Sequence, residues 1–465
     1  MIEGMRQLSV VPSLFRHNRA SRETLLRFQD RQLRRVIRHA YANVPYYKRL
    51  FDAAGVRPEH IRTSADMHRI PITTKSDLRA APPEDLVARG VDLRTLVRHT
   101  TGGSSGEPFV VRRAWLEERI LGVLRIRALL YYGLRRNDKI ALLLFNHEPS
   151  PQDYQLPQRL MRAVHRVRTY PIHCLVAPES MLEQLAIIQP DILGGYAGVL
   201  GRTAMLVKQA GCTDIRPRLV LSGGEVLTPV MAKQISEAFK APVYDTYGSH
   251  EFSRTAWQCT QTGEYHVCDD GVLLEVLRDG QLVASGERGE VIGTALHSFA
   301  MPFIRYRLGD IVTRGTAGCA CGQPFSTLRE IQGRMVDYFP LPDGRLLHPY
   351  EIASALQQSA MRWVRQYRLV QERKDWIVLL AVPAIVPSAE QISELETLAA
   401  RVLGPTVRFQ VHLVDDLELG KRGKFRVYQS MVHSAYDEPV EPVHEGDIVE
   451  CSAAGVSAPG SSQAS

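Results

Sequence analysis

A chain of 465 residues with 45% apolar and 23% charged content reads as a globular protein, long enough for a large domain and a smaller one. Its apolar runs, such as WIVLLAVPAIV from Trp376, fall well short of the roughly 20 residues that a membrane helix needs. The net charge of +7 is scattered over helical stretches such as Arg31–Arg38, which marks solvated faces rather than a nucleic-acid stripe. The N-terminal segment lacks an apolar core followed by a small-residue cleavage site, so no secretory signal is read and a cytosolic chain is expected. Seven cysteines, an odd number, argue against a disulfide framework.

In chain order, Leu33, Val36, Ile37, Ala40 and Tyr41 recur at helical spacing, and Pro45 stops that helix. A second long helical pattern starts near residue 114 and leads to the strand-like KIALLLF, ending at Phe145. A helix ending near Gln189 leads to DILGG. RLVLSGGEVLTP then begins as a strand, turns through Gly223 and Gly224 and enters a helix after Thr228, which leads to the strand APVYDTYG. Alternating strands and helices predict a parallel α/β sheet. Around residue 265 the pattern changes to short strands joined by turns such as Asp279-Gly280, which predicts an antiparallel β subdomain. The fold class is therefore α/β, with a large N-terminal unit over 1–333 and a small α+β unit over 334–436. The tail over 437–465, rich in Ser, Ala, Gly and Pro, is expected to be disordered.

Four pieces carry chemistry. In TTGGSSGEP, from Thr100, glycines let the backbone approach a polyphosphate, and Thr100, Thr101, Ser104 and Ser105 offer hydroxyl donors. Taken alone, such a string is more often a solvent loop, and no GK[ST] follows at Walker spacing. YDTYGSHEF, from Tyr244, places Glu251 at the carboxyl end of a strand, where α/β sheets bind ligands and where a carboxylate can hold Mg²⁺. FIRYRLGD and GRMVDY supply Asp310, which can accept both ribose hydroxyls, and Arg334 to steady a nucleotide. LGKRGKFRVY supplies Lys424, in a loop where a lone lysine is otherwise simply solvated.

In this order, the glycine loop, strand-end glutamate, YR-x-GD, GR and late GK resemble the adenylate-forming superfamily of acyl-CoA synthetases. The likeness is strongest to the phenylacetate–CoA ligase branch and its capsular-polysaccharide relatives. HAYANVPYYKRLF and IPITTKSDLR fit that branch too, and the resemblance spans about residues 25–430. It implies ATP, Mg²⁺ and CoA as cofactors, a small carboxylic acid as substrate, an acyl-adenylate intermediate, and a mobile C-terminal domain. On this reading the loop Thr100–Gly106 (Thr100, Thr101, Gly102, Gly103, Ser104, Ser105, Gly106) holds the phosphates. Ser222, Gly223, Gly224 and Glu225 flank the adenine beside Tyr247 and Gly248, and Asp310 and Arg334 hold the ribose. Glu251 binds the metal, and Lys424 bridges the carboxylate and the α-phosphate. His250 stands where relatives carry Ser or Thr, Glu107 where many carry lysine, and Val336, followed by Asp337, where relatives often carry a hinge Asp or Lys two residues after the arginine. Relatives in the branch are often dimers, which leaves a homodimer open, while the composition points to neither a membrane nor a nucleic acid as partner.

Cys319-x-Cys321 is a compact thiolate pair that Cys259 and His266 could complete as a tetrahedral metal site, with free buried thiols as the alternative. A similar Cys/His cluster occurs in some members of the branch, so a structural Zn²⁺ is expected. Phe145 and Tyr196, at strand ends, match segments that line the acyl pocket in relatives, with ordinary core packing as the commoner alternative for such residues; an aromatic acid fits such walls. Transfer to CoA is expected. The sequence leaves open an amine, sugar or carrier-protein thiol as acceptor, and also a degenerate homologue that only binds nucleotide.

Overall fold

The computed structural model describes residues 10–101, 109–144, 168–173, 176, 178–212, 214–334, 339–343, 346–347, 349, 352, 355–356, 361–417 and 428–432. The N-terminal segment is helical: α1 (Val11–Arg16), α2 (Arg22–Asn43), α3 (Pro45–Ala53) and α4 (Lys75–Ala80). Ser21 caps α2 by accepting from the Thr24 N–H, the usual remedy for an orphan first-turn donor. Leu25, Phe28, Leu33, Val36, Ile37 and Ala40 form its buried stripe. Pro45 has two roles. The helix before it ends at Asn43, and Pro45 itself opens α3, at a position where its missing N–H is not needed.

The hairpin β1 (Val97–Thr101) and β2 (Phe109–Arg113) precedes α5 (Trp115–Tyr131). Five strands then build a parallel layer: β3 (Lys139–Leu144), β4 (Arg168–His173), β5 (Ile192–Gly195), β6 (Leu219–Gly223) and β7 (Val243–Ser249). The connections from β4 onward run through α6 (Pro178–Ile188), α7 (Ala197–Gln209) and α8 (Pro229–Phe239). Seven antiparallel strands follow: β8 (Ser253–Gln258), β9 (Tyr265–Val267), β10 (Val272–Arg278), β11 (Gln281–Leu282), β12 (Arg288–Ala295), β13 (Tyr306–Arg314) and β14 (Thr327–Arg334). Asp279 and Gly280 join β10 to β11 with φ of 52° and 78°, the double left-handed turn that Asp-Gly favours in hairpins. The antiparallel strands add to the same sheet as the parallel ones. Its order is β11-β10-β12-β13-β14-β9-β8-β7-β6-β5-β3-β4, twelve strands without a break.

A further hairpin, β15 (Phe339–Pro340) with β16 (Leu346–Leu347), precedes a second sheet of β17 (Val364–Arg373), β18 (Trp376–Pro383), β19 (Arg408–Leu413) and β20 (Tyr428–Ser430). Helix α9 (Ala389–Leu403) packs Leu395, Ala399 and Leu403 into a core shared with Phe339, Leu369, Ile377 and Leu379. The larger sheet is fastened to the N-terminal segment by buried charge. Asp270 takes a bidentate guanidinium from Arg127 at 2.5 and 2.9 Å, and His17 Nδ1 lies 2.8 Å from it. Arg127 also lies over the rings of Trp257 and Phe325, a cation–π arrangement. Among the described residues, no helix is long and apolar enough to cross a membrane.

Candidate functional site

The carboxyl ends of β6 and β7 form the centre of the candidate site. Their register sets Gly223 beside Thr246, and Thr246 Oγ1 donates to the Ser222 carbonyl at 2.7 Å. A Cβ on Gly223 would fall 2.7 Å from that hydroxyl oxygen. Gly224 has φ +76°, and a Cβ there would lie 2.8 Å from Tyr196 Cε1. The turn therefore admits neither a side chain nor ordinary L-residue backbone at Gly224. Gly224→Ala is expected to lower stability by about 1–3 kcal/mol; an unchanged urea midpoint would show that both the Tyr196 ring and the turn's backbone readjust. The same contact puts Tyr196, the N-cap of α7, directly against the glycine turn. Glu225 Oε2 accepts from Gly198 N–H at 2.9 Å, so this carboxylate fastens the turn to the start of α7.

The β7–β8 hairpin supplies the next groups. Its register shifts between Tyr247 and Gly248, and a Cβ on Gly248 would meet the Ser253 carbonyl oxygen at 2.3 Å. The Tyr247 hydroxyl donates to Asp310 Oδ2 at 2.6 Å, and Asp310 pairs with Arg334 across β13 and β14. Glu251 is 7% exposed and accepts from the Tyr306 hydroxyl at 3.1 Å. Among the described residues, no Lys, Arg or His forms an ion pair with Glu251, whose contact here is the Tyr306 hydroxyl. The β1–β2 hairpin reaches the same turn through Arg113, whose Nη2 donates to the His250 carbonyl.

Two residues here were not picked out from the sequence. Tyr306 holds Glu251, although it lies within the FIRYRLGD segment already singled out. Asp245, inside YDTYGSHEF, is buried and accepts from the Tyr265 hydroxyl at 3.0 Å; burial pushes its pKa up to about 6. The structure thus brings together Ser222–Glu225, Tyr247–Gly248, His250, Glu251 and Asp310, with Tyr196 beside them. Thr100 and Thr101 end β1 opposite Val110 and Phe109. Gly102, Gly103, Ser104, Ser105, Gly106, Glu107, Phe145, Val336 and Lys424 lie outside the described residues, as do the side chains of Thr100, Thr101 and Arg334.

A second cluster is formed by Cys259 after β8, His266 on β9, and Cys319 and Cys321 between β13 and β14. Their ligand atoms all lie within 4.8 Å of one another. Cys259 and Cys319 sulfurs are 3.8 Å apart, much too far for a disulfide. A tetrahedral ion bound to sulfur at about 2.3 Å spaces its sulfur ligands at about 3.8 Å. Cys321 Sγ lies 3.3 Å from His266 Nε2. Burial holds the His266 pKa down at about 4, leaving the neutral ring that a metal requires. Around the thiols, the Tyr131 hydroxyl and the Gln261 N–H each donate to Cys259 Sγ at 3.4 Å, and Thr262 Oγ1 lies 3.5 Å from Cys319 Sγ. The donor set fits a closed tetrahedral ion. Cys268 is buried apart from it.

Comparison with known proteins places this geometry in a family. No protein-family model matches the chain. The phenylacetate–coenzyme A ligase of Escherichia coli (strain K12) is 30% identical over 333 residues, covering 68% of this chain and 73% of that enzyme. The phenylacetate–coenzyme A ligase of Thermus thermophilus is 26% identical over 378 residues, covering 79% of this chain and 77% of that enzyme. Among solved structures, a 2-hydroxyisobutyryl-CoA ligase bound to 2-HIB-AMP in its postadenylation state superposes with a TM-score of 0.76 at 22% identity, over 89% of this chain and 91% of that one. That structural likeness confirms the α/β architecture with its smaller C-terminal α+β unit. The extent of the sequence match, together with the shared fold, shows that the chain belongs to the phenylacetate–CoA ligase branch of the adenylate-forming superfamily, the AMP-forming acid–CoA ligases.

Proposed function

We propose that this chain activates an aromatic carboxylic acid with ATP and passes the acyl group to the thiol of CoA. The observation that carries this reading is the convergence of the SGGE turn, the Glu251 carboxylate and the Tyr247–Asp310 pair at the carboxyl ends of β6 and β7. In the first step a carboxylate oxygen of the acid attacks the α-phosphorus. A P–O bond forms, and the bond to pyrophosphate breaks. The nucleophile is already anionic, so the work of the protein is positioning and charge stabilisation.

Ser222–Glu225, with Tyr247 and Gly248, flank the adenine. Asp310, oriented by the Tyr247 hydroxyl, accepts the ribose hydroxyls beside Arg334, and the loop Thr100–Gly106 donates to the phosphates. Glu251 would hold Mg²⁺, which when bound neutralises phosphate charge. Lys424 reaches the attacking carboxylate and the α-phosphate, while His250 donates to a phosphate or contacts the acyl group. In the second step the CoA sulfur attacks the acyl carbonyl and AMP leaves, after a swing of the small domain near Arg334. Phe145 and Tyr196 wall the acyl group. Cys259, His266, Cys319 and Cys321 would together hold a structural Zn²⁺ that ties strands of the antiparallel region together.

Carboxylate-dependent pyrophosphate release from ATP, across aromatic and aliphatic acids with and without CoA, tests the reading. Lys424→Ala serves as the control for background hydrolysis. Release with an aromatic acid, and an aryl-CoA product by mass spectrometry, is the expected result. Release with aliphatic acids alone would overturn the aromatic assignment. Adenylation without thioester formation would move the acceptor to an amine, a sugar or a carrier-protein thiol.

A further inference from the structure

Glu118, in the first turn of α5, joins parts of the chain that the proposed reaction uses separately. Its Oε2 lies 3.1 Å from His99 Nε2 and 3.1 Å from Arg113 Nη1, and its Oε1 lies 3.1 Å from Arg125 Nη2. His99 is on β1 and Arg113 closes β2, the two strands that bracket residues 102–108. The other arm of the Arg113 guanidinium donates to the carbonyl of His250, the residue before Glu251. The His99 and His250 ring centroids are 6.2 Å apart, with the planes tilted by 34°. One buried carboxylate thus ties both strands of the hairpin to the turn that carries Glu251.

The two groups at the centre of the cluster are buried. Glu118 and Arg113 side chains are only 8% and 3% exposed. Burial alone would raise the carboxyl's pKa, but the His99 hydrogen bond and the Arg113 and Arg125 guanidiniums together hold it well below the usual carboxylate range. Buried ion pairs contribute little net stability compared with apolar residues of the same size. What they supply is fixed geometry, since a guanidinium fork holds its two partners at one spacing. The fork of Arg113 spans Glu118 on one side and the His250 carbonyl on the other. Two guanidiniums around one carboxylate also leave an excess of positive charge beside the hairpin.

We infer that Glu118, through His99 and Arg113, is a positioning residue that clamps the β1–β2 hairpin to the His250–Glu251 turn and so sets the spacing between the phosphate-binding and metal-binding halves of the site. The inference rests on the nucleotide reading given above. It is tested on the full chain with Glu118→Gln, Glu118→Asp and Arg113→Lys. For Glu118→Gln the KM for MgATP and the Mg²⁺ concentration for half-maximal rate are expected to rise about tenfold, the effect of losing one charged hydrogen-bonding partner. The KM for the acid should change less than these two constants, because Arg113 holds only the backbone carbonyl of His250. Arg113→Lys keeps the charge but not the fork, and should shift the same two constants in the same direction. Glu118→Asp keeps the charge and should recover part of the loss.

A merely structural role would lower kcat through the active fraction and leave both constants within about twofold of wild type, and that result overturns the proposal. Should Glu118→Gln fail to fold, His99→Gln, at a partly exposed position, is read in its place. If no acid supports turnover in the wild type, calorimetry with MgATP alone separates the two ideas. Weaker binding in the variants then upholds the clamp while the activity reading falls, and a wild-type chain that binds no MgATP overturns both.

Discussion

Glu251→Gln is expected to cut kcat/KM for carboxylate-dependent pyrophosphate release by about 100-fold or more, the usual penalty for losing a charged group that acts on the transition state. The amide is nearly isosteric with the carboxylate, and its oxygen can still accept from the Tyr306 hydroxyl, which holds Glu251 at 3.1 Å. The fold around it should therefore persist, with Phe252 packed against Phe303 and Tyr306. What is lost is one unit of negative charge in a place where no protein cation among the described residues pairs with it. The deficit should shrink as Mg²⁺ is raised, because a weakened cation site is refilled by mass action. Tyr306→Phe leaves the charge and removes only its anchor, so its loss should be nearer tenfold, in line with one hydrogen bond to a charged group. An activity for Glu251→Gln within threefold of wild type, with an unaltered Mg²⁺ titration, would remove Glu251 from the metal site.

Loss of the Cys/His ion should produce the largest stability change. Structural zinc sites contribute about 10–16 kcal/mol of apparent binding free energy in small peptides, and here the four ligands come from segments up to 62 residues apart in sequence, Cys259 to Cys321. Purified chain is expected to hold one zinc by elemental analysis. Cys319→Ser should abolish it and lower the melting temperature by upwards of about 5 °C, a shift equivalent to several kcal/mol for a chain of this size. Residual activity at low temperature should track the folded fraction, because a four-ligand closed site leaves no position for a reacting water. A fully folded variant of unchanged melting temperature would mean that the thiols are simply packed. Mercury-free thiol titration of the wild type distinguishes the states further, since four-coordinate thiolates react only after chelation.

Local signals in the sequence carried over well. The Gly223-Gly224 turn, the Asp279-Gly280 hairpin and the Thr228 cap of α8 are each specified within a few residues, by backbone conformations that few other residues tolerate. The Cys/His set was legible because thiol and imidazole chemistry narrows what such a grouping can do. The contacts that complete the site were not. Tyr247 reaches Asp310 across 63 positions and Tyr306 reaches Glu251 across 55, and nothing in the local pattern of a tyrosine says which carboxylate it will meet. Glu118 is one of two acids in the first turn of α5, with no local mark that separates it from its neighbour; its ion pairs follow from where β1 and β2 pack, a tertiary fact. Pro45 was readable as a stop, but a proline that ends one helix can also open another.

The unbroken run of twelve strands from β11 to β4 has a consequence for how such chains can be divided. A seam cut between β7 and β8 would separate the SGGE turn from the thiol cluster and bare a full row of amide donors and carbonyl acceptors on both pieces. Neither fragment could persist alone in water without finding a new strand to cover that edge. Grafting one half onto a foreign scaffold therefore requires carrying the other half with it, whereas exchange at the outer strands β4 or β11 disturbs a single row. Exchange is better placed at those margins or ahead of Val364, where the second sheet, with its own core, begins.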